Sequence, residues 1–141
     1  MVILAFSPSC SDKEDPDDGW EFCTGCTAES WAGVFEGDAT FHDSFGISSG
    51  EGLAATLSIE ETGTDYLSTT IVVPNYFSTA VSGKLNSAYS ISFAGSNSSI
   101  TATIYSKNNA LKIIGNAKKF HTNASGTIVD EVVSFEVIKN K

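Results

Sequence analysis

The chain has 141 residues, 41% of them apolar, and a formal charge of -9 with no arginine at all. That length suffices for one domain with a core of its own, and no apolar run approaches the roughly 18 residues of a membrane-spanning helix. A chain this acidic, without the planar guanidinium that grips phosphate and guanine, repels nucleic acid.

Residues 1–10, M-V-I-L-A-F-S-P-S-C, are a short apolar run, then small residues, then a cysteine. They resemble the end of a bacterial lipoprotein signal peptide, whose cysteine is lipidated and becomes the mature N-terminus. Ser7 stands where that motif has Leu, no basic stretch precedes the run, and the true start is expected upstream of Met1. The resemblance implies lipid on Cys10 and a membrane partner reached through that anchor. Residues 11–18, S-D-K-E-D-P-D-D, bury nothing and read as a flexible tether. A serine and acids directly after the cysteine resemble the export signal of Bacteroidetes-type surface lipoproteins, which implies the bacterial outer membrane and its cell-surface side. The other reading is an ordinary acidic N-terminus beginning at Met1.

With Cys10 lipidated, Cys23 and Cys26 in C-T-G-C remain as an even pair in an oxidising compartment and can close a small disulfide ring. Free thiols are one alternative. A redox pair would need a helix N-terminus in a βαβ context. Zinc would need two more ligands at recognisable spacing, and His42 and His121 stand alone. No cofactor motif is present: the glycines over residues 43–52 fit neither the P-loop nor the dinucleotide spacing.

From residue 30 the period becomes two. In residues 30–41, S-W-A-G-V-F-E-G-D-A-T-F, the odd positions from Trp31 are Trp, Gly, Phe, Gly, Ala and Phe, whereas Glu36, Asp38 and Thr40 are polar. This is a strand with one buried face, whose glycines leave a groove beside the rings. Residues 43–52 read as a mobile Gly-rich loop carrying Phe45 and Ile47. Beyond it, Leu53, Ala55, Leu57 and Ile59 alternate, residues 61–65 turn, and 66–73 form a β-branched strand. Pro74 and Asn75 break that strand. Residues 76–85, with Phe77, Val81 and Leu85 on one side, continue as a strand or a helical turn. Tyr89, Ile91 and Phe93 make the next strand, and Ile100, Ala102 and Ile104 return. Residues 109–120 fit a strand or a helix face, with Gly115 and Asn116 opposing the helix. Residues 128–138 close the chain, with Val133, Phe135 and Val137 inward.

Eight strands with short links form a meander, and pairing the last with the first removes the exposed edges. The expected fold is all-β, an eight-stranded antiparallel up-and-down barrel over residues 30–141, preceded by a residual signal peptide (1–9) and a lipidated tether with C-x-x-C (10–29). At this point the plan resembles the lipocalin-like (calycin) barrels, with a long first loop at the open end. The resemblance is architectural: Trp31 has Glu29 where the G-x-W signature has Gly, Thr64-Asp65-Tyr66 falls early for T-D-Y, and the closing Arg has no counterpart. A Greek-key sandwich is the competing fold.

No enzyme is expected. His42, Asp43 and Ser44 are strand neighbours that point to alternate faces, and the pairs Glu60-Glu61 and Asp130-Glu131 diverge likewise. An eight-stranded barrel is either filled or wide enough for one small ligand. The expected ligand-binding set is Trp31, Phe35, Phe41, Leu57, Phe77, Tyr89, Phe93 and Phe135, with Phe45 and Ile47 as a lid over a small apolar or amphipathic molecule. The alternative is surface recognition. Residues 19–82 carry nine acids and no lysine, whereas residues 83–141 carry seven lysines and three acids, so an acidic face could meet a cationic protein such as lysozyme.

Overall fold

The computed structural model describes residues 19–43, 49–108 and 110–140. Cys10, residues 11–18 of the tether, Phe45 and Ile47 lie outside the described residues. The elements are β1 (Glu21–Phe22), α1 (Ala28–Trp31), β2 (Gly33–Asp43), β3 (Ser49–Gly63), β4 (Tyr66–Val73), β5 (Phe77–Lys84), β6 (Ser90–Ala94), β7 (Ser98–Lys107), β8 (Ala110–Asn123) and β9 (Gly126–Asn140). The protein is all-β: among the described residues nine strands form one antiparallel sheet. Hairpin turns fall where the chemistry allows a left-handed residue, at Asp65 (φ 62°), Asn75 (φ 72°), Asn108 (φ 55°) and Gly126 (φ 121°), since Asp, Asn and Gly enter that region at least cost.

Across the sheet the order is β5-β4-β3-β2-β9-β8-β7, and β6 and β1 share the far edge of β7. Sheet neighbours are therefore sequence neighbours, except where β9 returns to β2 and where the short β1 joins β7. That pairing is antiparallel, with Val133 opposite Phe41, Phe135 opposite Ala39 and Val137 opposite Gly37, as the alternation of residues 30–41 and 128–138 predicts. A Greek-key order is not observed. Residues 110–123 and 77–84 are strands, because their apolar positions bury one face in the common core and Gly115 disfavours a helix.

The ladder does not close between β5 and β6 among the described residues. The two edges meet instead through side chains. Thr79 Oγ1 of β5 donates to Oγ of Ser98, the first residue of β7, at 2.8 Å, and the Phe93 ring of β6 fills the space over Gly83, where a Cβ would lie 2.8 Å from its Cγ. Side chains thus bridge the gap, and the expected continuous eight-stranded ladder is replaced by a curled sheet with a side-chain seam.

One end of the curl is closed. The strand expected from residue 30 is β2 and begins at Gly33, because A-E-S-W folds as α1, with the Thr27 amide donating to Ser30 Oγ at 3.1 Å. Gly33, at φ 130°, turns the chain from helix into strand at an angle that suits only glycine. Trp31 is thus a helical plug and not a strand residue. It is fully buried, and its indole donates to the Ala88 carbonyl at 3.0 Å. From the last strand, the Lys139 ammonium donates to the carbonyls of Ser30 (3.2 Å) and Ala32 and lies 5.0 Å from the Phe35 ring.

Two inward glycines mark close approach, not a groove. At Gly37 a Cβ would meet the Glu136 carbonyl and sit 2.9 Å from the Val137 Cα; at Gly115 it would sit 2.7 Å from the Ala102 Cβ. Neighbouring strands occupy the room these glycines leave, which is how a sheet bends tightly enough to curl. Both ends of the expected Gly-rich loop over residues 43–52 are strand: β2 runs to Asp43 and β3 starts at Ser49, with Gly52 (φ 63°) beside a register shift opposite Ala39 and Phe41.

Candidate functional site

The expected ligand-binding residues are placed in two ways. Trp31, Phe35 and Leu57 are 0% exposed, Phe41 and Phe135 3%, Phe77 and Phe93 4%. A side chain bordering a water-sized void would keep accessible surface, so these seven pack against one another and against Ile59, Leu67, Ile71, Ile100, Ile113 and Val133. Tyr89 is a correction. It precedes β6, lies 37% exposed, and stacks 5.0 Å from Phe22. The N-terminal segment shares the same edge of β7, so the ring turns outward to meet it.

Away from the plugged end, Phe41 packs against Tyr76 with ring centroids 5.4 Å apart, and the Lys119 ammonium sits 4.9 Å from the Phe77 ring and 3.9 Å from Glu131. Beyond this rim the β8–β9 hairpin continues as a two-stranded ribbon. Its partners β7 and β2 end at Ser98, opposite Lys119, and at Asp43, opposite Glu131. Ile128 and Val129 are exposed on the ribbon, and His121 Nδ1 lies 2.8 Å from the Asp130 carboxylate. Cys23 and Cys26 are disulfide-bonded ahead of α1.

A cleft of about 600 Å³ lies on the outer face, across β2, β9, β8 and β7. Register shows how four strands build its floor. Thr40 faces Ser134, Ser134 faces Asn116, and Asn116 faces Thr101, giving one row of hydroxyl and amide groups. The row beside it runs Asp38, Glu136, Ile114, Thr103. A third holds Glu36, Ile138, Lys112, Tyr105 and then Phe22 of β1. Asp38 and Glu136 are directly opposite, a like-charge arrangement that costs stability in a sheet.

The third row carries the aromatic wall. Phe22 stacks on Tyr105 at 5.3 Å with planes 24° apart, and it is 54% exposed. Lys112 is only 2% exposed although it belongs to the outer face. The Trp20 ring covers its ammonium at 4.6 Å, and Glu136 lies 3.7 Å away. A buried ammonium needs such partners, because desolvation otherwise penalises its charge.

The chain matches no protein family, no curated protein and no solved structure with which it was compared. Function therefore has to be argued from the site alone. Among the described residues no group of three or more His, Cys, Asp or Glu side chains converges as a metal site. His42 is exposed at the end of β2, and Glu60 and Glu61 are exposed at the far end of β3. What the cleft offers is hydrogen-bond donors and acceptors over a broad, shallow floor with a ring at one side. Sequence reasoning missed Trp20, Phe22, Tyr105, Asn116 and Ser134. The outward direction of Tyr105, Asn116 and Ser134 is legible from alternation, but their grouping depends on register across strands, and Trp20 and Phe22 lie in a segment with no period of its own.

Proposed function

We propose that the protein is a non-catalytic binding module, held at the cell-surface side of the bacterial outer membrane by lipid on Cys10, that recognises its partner through the outer cleft of the sheet. The observation that carries this is the contrast in filling: the inward rings keep 0–4% of their surface, while the outer face presents a cleft of about 600 Å³. Binding needs surface that a partner can reach, and the rows of Thr40 and Asp38 have it. The anchor rests on residues 1–18 of the sequence. The lipocalin-like reading draws support from the β2–β9 pairing and from α1 at one end of the curl.

Two measurements test it. Expressed behind a complete signal peptide, Cys10→Ala should leave the membrane fraction, and equal partitioning of both forms rejects the anchor. For the cleft, full-length protein is titrated with neutral polysaccharides, lysozyme and a fluorescent fatty acid, alongside Ser134→Trp, which fills the floor without touching the core. The reading expects at least one ligand whose binding Ser134→Trp weakens; ligands that bind both proteins equally reject it.

A second reading has its own observation. Phe41, Tyr76 and Phe77 put rings at the rim away from α1, as a small apolar or amphipathic ligand would require. Saturable, salt-independent uptake of the fatty acid, weakened by Phe45→Ser with Ile47→Ser and unchanged by Ser134→Trp, would favour it.

A further inference from the structure

We infer that the outer cleft takes an internal stretch of a neutral glycan chain, an inference that rests on the outer-face reading above. Its floor is chemically selective. The row through Ser134 and Asn116 is neutral and offers donors and acceptors at the spacing of adjacent strands, roughly 4.8 Å, which suits a ligand with hydroxyls along its whole length. Asp38 and Glu136, directly opposite each other in the next row, accept two hydrogen bonds from neighbouring hydroxyls as carboxylates. They also repel phosphate, sulfate and carboxylate groups, so an anionic polymer is excluded from the same floor.

The single cation of the three rows, Lys112, cannot reverse that preference. Its 2% exposure and the Trp20 ring over it keep it from an arriving anion, and Glu136 already lies 3.7 Å away. A cationic partner is the competitor on charge grounds, but the cleft turns mostly hydroxyls, an amide and one ring toward it, and only two carboxylates. Tyr105 supplies what a sugar needs besides hydrogen bonds. The ring lines the cleft and is backed by Phe22 at 5.3 Å, so an apolar C–H face can stack there against a wall that does not collapse.

Shape sets the kind of glycan. A shallow depression crossing four strands, open along the face, does not enclose a monosaccharide or grip a chain end. It accommodates a run of residues whose two ends continue past the site.

The test is affinity electrophoresis of full-length protein through gels containing neutral polysaccharides (mixed-linkage β-glucan, galactomannan, arabinoxylan, dextran), followed by a neutral-oligosaccharide array, with heparin and lysozyme as charged controls. The expected result is retention by at least one neutral glycan, equal at about 0.05 M and about 0.5 M NaCl. Tyr105→Ala should weaken that affinity roughly tenfold, and Ser134→Trp should abolish it, both with unchanged circular dichroism. Retention that neither variant weakens, or no neutral glycan bound in gel or array, overturns the inference. Lysozyme binding that fades with salt and is lost in Ser134→Trp also overturns it, while leaving the outer face as the site of recognition. Binding to heparin in preference to the neutral polymers would count against both the carboxylate argument and the ligand class.

Discussion

The two faces of β2 and β9 obey opposite rules. Inward, Phe35, Val133 and Val137 have lost all their surface, and the residue types are fixed by volume. Outward, Asp38 faces Glu136 and Thr40 faces Ser134, an arrangement that contributes little to stability and, at the carboxylate pair, opposes it. Stability is therefore concentrated on one side of each strand and recognition chemistry on the other, one residue apart in sequence. Substitutions that respect this division should separate folding from binding cleanly.

The comparison is broken most severely from inside. Phe35→Ala should lower the unfolding free energy by about 3 to 5 kcal/mol in denaturant titration, because the ring is wholly buried and the strand cannot collapse onto the void. Gly115→Val is next: its Cβ would lie 2.7 Å from that of Ala102, and a loss of about 1 to 3 kcal/mol is expected as strands β7 and β8 are forced apart. Lys139→Met keeps the stem over Phe35 but orphans the carbonyls of Ser30 and Ala32. A cost of about 1 to 2 kcal/mol is expected, with faster amide exchange confined to α1 as the local signature. At the other extreme, Asp38→Asn removes one of two facing carboxylates and should stabilise by a few tenths of a kcal/mol at low salt, the gain vanishing as salt rises. A destabilisation of more than about 1 kcal/mol there would show that the outer face also holds the fold together.

How far the chain could be read in advance follows the same division. Alternation in residues 30–41, 53–59 and 128–138 marks inward positions directly, and the need to cover sheet edges predicts that the last strand returns to the first. Trp31 shows the limit. It sits in phase with Phe35 and so passes for a strand residue, although Thr27, Ser30 and Gly33 supply a helix start and its exit. Tyr89 fails for another reason: its partner, Phe22, belongs to a two-residue strand too short to show any period. The outer cleft was illegible because Thr40, Ser134, Asn116 and Thr101 come from four strands, and only pairing register brings them into line. Lys112 could not be foreseen as buried, since Trp20 covers it from a segment with no pattern of its own.

The return of β9 to β2 also sets the order in which the protein can assemble. β2 finds β3 as soon as a hairpin forms, but its other edge stays bare until residues 126–140 have been synthesised and brought back across the intervening sheet. Until then the inward rings of β2 have half a wall, and Trp31 lacks the Lys139 tie that holds α1 in place. Pairings of such long sequence separation are slow, because the chain must be ordered before they contribute. The β2–β9 pairing is therefore expected to be among the last to form, after the β2–β3 hairpin.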